Sequence, residues 1–104
     1  MTLAVRFHTT ARAAIDNLDT WWREHRSAAA SQVTDEVERI TAMIAESPNI
    51  GTPYPHPVVS NVRVVRLQRT PYRLYYVHDA ERDVIVVLTV WSAMRGHGPE
   101  LPNP

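Results

Sequence analysis

Arg63, Arg66, Arg69 and Arg73 recur along a stretch, Val62–Tyr76, that is otherwise built of strand-forming residues, with Tyr72, Tyr75 and Tyr76 among them. A guanidinium keeps its charge at any physiological pH and presents a planar fork that suits carboxylates and phosphates. A surface strand carrying repeated arginines and no acid reads as one that meets an anionic partner. The formal net charge of zero hides this, because the chain segregates its charges. Between Ser47 and His78 there are four arginines and no Asp or Glu, whereas acids outnumber arginines before Ser47 and again after His78.

Other chemistry is thinly supplied. All 11 basic side chains are arginine, so no lysine is available as a tuned base or Schiff-base nucleophile. There is no cysteine, hence neither a disulfide framework nor a thiolate metal site. His8, His25, His56, His78 and His97 share no ligand spacing, and neither a metal nor a cofactor is expected. Three glycines make no phosphate loop, and Ser92 lacks the Gly-flanked turn of a nucleophile. Aromatic residues among arginines raise the idea of base stacking, but period-two alternation sends Leu74 and Tyr76 to one face and Arg73 and Tyr75 to the other. Tyr76 is therefore expected in the core, and Tyr75 is the candidate contact.

The elements that must position these residues follow from periodicity. Leu3 to His8 alternates apolar and polar side chains as a half-buried strand does. Thr9 or Thr10 can cap a helix whose apolar positions Ala14, Ile15, Leu18, Trp21 or Trp22 and His25 recur at helical steps. Adjacent on one helix, Trp21 and Trp22 cannot both enter the core, and Trp22 is the candidate partner contact. After a slip near Ser27, the stripe Ala30, Val33, Val37, Ile40 and Ile44 runs to Glu46, so two helices form an antiparallel hairpin. Ser47 to Asn61 is a proline-rich loop, and Val62–Gln68, Tyr72–His78 and Val84–Trp91 read as strands.

At 104 residues the chain fits a single domain, 1–104, with 92–104 an irregular, partly mobile tail. Strand, helix, helix and three strands make an α+β fold, β-α-α-β-β-β, with the helical hairpin on one face of a small, mainly antiparallel sheet. No apolar run approaches a membrane span and no signal peptide is evident, so a soluble cytoplasmic protein is the default. Val84–Leu88 is apolar without alternation, which implies a strand covered on both faces. The helices cover one face. A second protein, rather than the tail, is expected to cover the other, making Val87 and Thr89 candidate contacts.

Taken in order, several pieces resemble the RelE/ParE superfamily of toxins from bacterial type II toxin–antitoxin modules. They are the loop Ser47-Pro48-Asn49-Ile50-Gly51, then Arg66-Leu67, then Arg69-Thr70-Pro71-Tyr72-Arg73-Leu74-Tyr75-Tyr76, and finally Val86–Trp91 leading to Arg95-Gly96. The resemblance implies a growth-inhibiting toxin silenced by a cognate antitoxin in a hetero-oligomeric complex. Trp22, Val87 and Thr89 would then be antitoxin contacts. Arg66, Arg73 and Arg95 match basic positions of the family and, with Tyr75, form the expected partner- and target-binding surface. The bland alternative, cross-strand pairing with acids, is worth about 0.2–1 kcal/mol for an exposed pair.

Members of this superfamily either cut mRNA on the ribosome or poison DNA gyrase, and the fold alone does not choose. Ribonuclease members are similar in supplying a basic cluster plus a late Tyr or His, for acid–base work on the 2′-hydroxyl and leaving oxygen. Here Ser92-Ala93-Met94 follows the final strand, no Tyr lies beyond Tyr76, and His97 sits in a Gly-flanked tail. The expectation is a gyrase-poisoning toxin of the ParE type with no catalytic residues. A ribosome-dependent ribonuclease built on Arg66, Arg73, Arg95 and His97 is the rival, and an inactive antitoxin-binding module is the third reading.

Overall fold

The computed structural model describes residues 2–104. In chain order they form β1 (Ala4–Phe7), α1 (Thr9–His25), a 3-10 turn (Ser27–Ala29), α2 (Gln32–Glu46), β2 (Thr52–Pro53), β3 (Arg63–Arg66), β4 (Tyr72–Asp79) and β5 (Val84–Ser92). The sheet has five strands in the order β1-β5-β4-β3-β2; β1 runs parallel to β5 and every other pairing is antiparallel. The two-residue β2, absent from the expected order, lies inside the proline-rich loop where no alternation announces a strand.

α1 begins with His8, not with Thr9 or Thr10, as its cap: His8 Nδ1 accepts the Thr10 N–H at 3.1 Å. The helix buries Ala11, Ile15 and Trp22, with Leu18 packed beside them, while α2 buries Val33, Val37, Ile40 and Ile44. These stripes meet Leu74, Tyr76, Ile85, Val87 and Val90 of the sheet in the larger core. Burying one such aliphatic side chain contributes about 1.5–3 kcal/mol.

The opposite face is covered by the chain itself, which corrects the expectation of a second protein there. Tyr54, Val59 and Val62 of the proline-rich loop and Leu101 of the tail pack against Tyr75, Val77, Val86 and Leu88. Two covered faces explain why β5 is apolar without alternation. The loop is held by a phenol: Tyr76 donates to Pro48 O at 2.7 Å and accepts the Gly51 N–H at 3.0 Å. A side chain at Gly51 would run into that ring, so only glycine lets the loop approach.

After Ser92 the chain forms neither helix nor strand, yet it folds back onto the sheet. The Trp91 indole N–H donates to His97 O at 2.9 Å, Pro99 is buried, and Leu101 reaches the second core.

Candidate functional site: a row of arginines

A buried carboxylate on α2 sets the turn between β3 and β4. Glu36 accepts the Gln68 N–H at 2.8 Å, the Arg69 N–H at 2.9 Å and the Thr70 hydroxyl at 2.8 Å, with Arg39 at 3.7 Å. Charge-assisted bonds of this kind are short and strong. They fix the turn, and the ladder beyond it places Arg66 opposite Arg73, while Arg73 faces Trp91 across the next pairing.

Arg66, Arg73 and Trp91 therefore lie in a row across three strands, on the face turned away from the helices. Arg95 extends the row, its guanidinium 4.2 Å from the Trp91 ring centre. None of the three arginines has an Asp or Glu within ion-pair distance among the described residues. Like charges set directly opposite on antiparallel strands repel, so Arg66 and Arg73 raise the local positive potential with no ion-pair partner among the described residues.

Arg63 and Arg69 stand apart from the row. Arg63 donates to Gly51 O and, at 3.3 Å, to Asn49 O, tying β3 to the proline-rich loop. Arg69 sits in the turn held by Glu36.

Four of the expected contact residues are not surface groups. Tyr75 is 2% exposed, because the Tyr54 ring packs edge-on against it at 4.9 Å and the loop and tail close over it. Burial pushes its hydroxyl pKa up, with Tyr54 acting in the same direction and the neighbouring Arg73 pulling it partly back. Trp22 turns inward and donates its indole N–H to the Tyr72 hydroxyl at 3.0 Å, while Trp21 is the exposed ring, stacked on His25 at 4.6 Å. Val87 faces the helices with no exposed area. Thr89 is also buried, although it lines a groove beside α1.

His97, expected only in the rival ribonuclease reading, is held beside Trp91 at 5.6 Å between ring centres, better placed than its Gly-flanked context implied, and Glu36 enters the site unannounced. Glu36 was legible in principle, since it shares the apolar stripe of Val33, Val37 and Ile40, where a carboxylate needs a partner. No group of three or more His, Asp or Glu side chains is arranged to hold a metal among the described residues.

The site is thus a basic row across β3, β4 and β5, without an ion-pair partner among the described residues, on a two-helix, five-strand α+β fold. The family model described as the ParE toxin of type II toxin–antitoxin systems matches residues 5–96, and the chain belongs to that family. It is a toxin of the RelE/ParE superfamily.

Solved structures agree on the fold. The chromosomal ParDE system of P. aeruginosa superposes with a TM-score of 0.71 at 16% identity, covering 88% of this chain and 96% of the other. The RelBE2 toxin–antitoxin complex of Mycobacterium tuberculosis gives 0.61 at 26% identity, covering 88% and 99%. An arginine double mutant of E. coli RelE bound to a RelB antitoxin peptide gives 0.64 at 22% identity, covering 91% and 87%. No curated protein matches the chain.

Proposed function

We propose that this toxin is held silent in the cytoplasm by a cognate antitoxin and, once released, inhibits growth by binding DNA gyrase and leaving cleaved DNA unsealed. The row of Arg66, Arg73 and Arg95 is the docking surface for the target. The observation that carries this reading is the row itself: guanidiniums on one face with no carboxylate within ion-pair distance among the described residues. Such a surface attracts an anionic partner strongly and offers little acid–base capacity. The match to the ParE family model supports the gyrase reading, and neighbours solved as complexes with antitoxins support an antitoxin partner and a hetero-oligomer.

The test is purified toxin added to gyrase, ATP and supercoiled plasmid, followed by detergent and protease. Accumulated linear DNA is expected, and Arg73→Glu should lower it at least ten-fold. Unchanged religation at all toxin concentrations would contradict the proposal.

One observation favours the rival ribonuclease. His97 is anchored beside Trp91, within the neighbourhood of Arg95, where a general acid would be useful. Cleavage of mRNA in programmed ribosomes by purified toxin, abolished by His97→Ala, would replace the gyrase reading with this one.

A further inference from the structure

Arg66 and Arg73 take their direction from the β3–β4 ladder, but Arg95 has no such support. It lies beyond Ser92, the last residue of β5, in a segment that is neither helix nor strand, and its own N–H reaches Ser92 O across a long 3.4 Å. An arginine on irregular backbone samples many rotamers, and freezing them on binding costs affinity. Whatever holds Arg95 in the row beforehand therefore decides how much it contributes there.

Trp91 is placed to do this. Its backbone sits in β5 opposite Arg73, and its side chain packs against the second core, so the indole is fixed by the sheet. The ring then grips the following segment at two points. The Arg95 guanidinium stands 4.2 Å over the ring centre, and the indole N–H donates to His97 O at 2.9 Å. The first contact uses the negative face of the ring and the second the donor on its edge; Phe would offer the face without the donor, and Leu neither.

A second pin lies at Gly98, which crosses the Tyr54 hydroxyl so closely that a Cβ would run into it. Tyr54 is held edge-on against Tyr75, Pro99 is buried, and Leu101 enters the second core. Residues 95 to 98 are thus fastened at Trp91 and at Tyr54. We propose that Trp91 is a positioning residue of the arginine row, a clasp that holds Arg95 in line with Arg73 before any partner arrives. The inference deepens the function proposed above: it rests on that reading for the target and on the geometry of Trp91 for the clasp.

Arg73 and Arg95 then flank one ring, Arg73 across the ladder and Arg95 over its face, so a single aromatic side chain sets the spacing of two charges. No Asp or Glu lies within ion-pair distance of Arg95 among the described residues, which leaves the ring face to direct its guanidinium. A clasp made by a ring rather than by a carboxylate holds the side chain without neutralising it, so its full charge stays available to an anionic partner.

The test reads geometry and function separately. In the parent chain, NMR should show the Arg95 side-chain protons shifted upfield by the Trp91 ring current, and Trp91→Leu should remove that shift. In the gyrase assay, Trp91→Leu should raise the toxin concentration for half-maximal linear DNA about ten-fold, as Arg95→Ala does, and the double variant should lose no more. Where Trp91→Leu does not fold, Gly98→Ala carries the same test, since it spares the ring, sets a methyl against the Tyr54 hydroxyl, and should cost both the shift and the activity. Adding Tyr54→Phe removes that hydroxyl, leaves the nearest ring carbon 3.7 Å from the new methyl, and should restore both. An upfield shift absent from the parent, or one that survives Trp91→Leu, would overturn the clasp while leaving the gyrase reading intact. So would losses from Trp91→Leu and Arg95→Ala that add in the double variant. If gyrase does not respond to the parent chain, the target reading falls, and a shift that Trp91→Leu and Gly98→Ala abolish still supports the clasp.

Discussion

Arg66 and Arg73 stand opposite one another across β3 and β4 with no acid within ion-pair distance among the described residues, so each raises the cost of the other's charge. Replacing Arg73 by Glu converts that repulsion into attraction. The variant should therefore fold as well as the parent or slightly better, by roughly 0.2–1 kcal/mol in urea unfolding, while losing target inhibition; equal loss of both would mean the residue is structural. The same row predicts its own salt dependence: target binding should weaken as ionic strength rises and the Debye length shrinks to about 8 Å near physiological salt. The row was visible in the sequence because an acid-free run of arginines on a strand needs no tertiary information to be noticed. The fate of Tyr75 was not, since its covering groups Tyr54, Val59 and Leu101 come from loop and tail segments without periodicity. Trp21 and Trp22 show the same limit on a helix: adjacency says that one ring goes in, and only the Tyr72 hydroxyl waiting in the core says which.

At the scale of elements, one carboxylate joins the helical hairpin to the turn that sets the arginine row. Glu36→Ala removes the acceptor for two backbone N–H groups and a hydroxyl, and leaving such groups unpaired costs about 1–3 kcal/mol each at most. A drop in stability of about 2–4 kcal/mol is expected in denaturant unfolding, with Glu36→Gln intermediate; a change below the error of the fit would show that the turn stands without its cap. The proline-rich loop depends likewise on Tyr76, whose hydroxyl pKa is raised by burial against the lowering influence of the Gly51 N–H and Arg63. A tyrosine that holds its proton more tightly when folded stabilises the fold fully below its ordinary pKa. That stability is lost as pH rises past about 10, where the unfolded chain ionises first. The melting temperature should fall more steeply above that pH than in Tyr76→Phe, which has no proton to release there. The helices and β4 were readable from their periods and β5 from its unbroken apolar run, whereas β2 was not, because two residues carry no pattern.

For the molecule as a whole, the sheet is covered on both faces by one chain, and that closure decides what is left for partners. The tail contributes through Leu101, so Leu101→Asp should loosen the second core and expose Tyr75, Val86 and Leu88, seen as increased binding of a hydrophobic dye and a loss of about 1–3 kcal/mol; an unchanged unfolding curve would show that the tail only rests there. Arg66, Arg73 and Arg95 stay exposed on a sheet whose faces the chain otherwise covers, and in the reading proposed above they meet the target. The most direct test of the central claim is pulse-labelling of DNA and protein synthesis in bacteria within minutes of inducing this chain without its antitoxin. A fall in thymidine incorporation while methionine incorporation persists is the expected result. Methionine incorporation collapsing first would contradict it and point to the ribosome and His97.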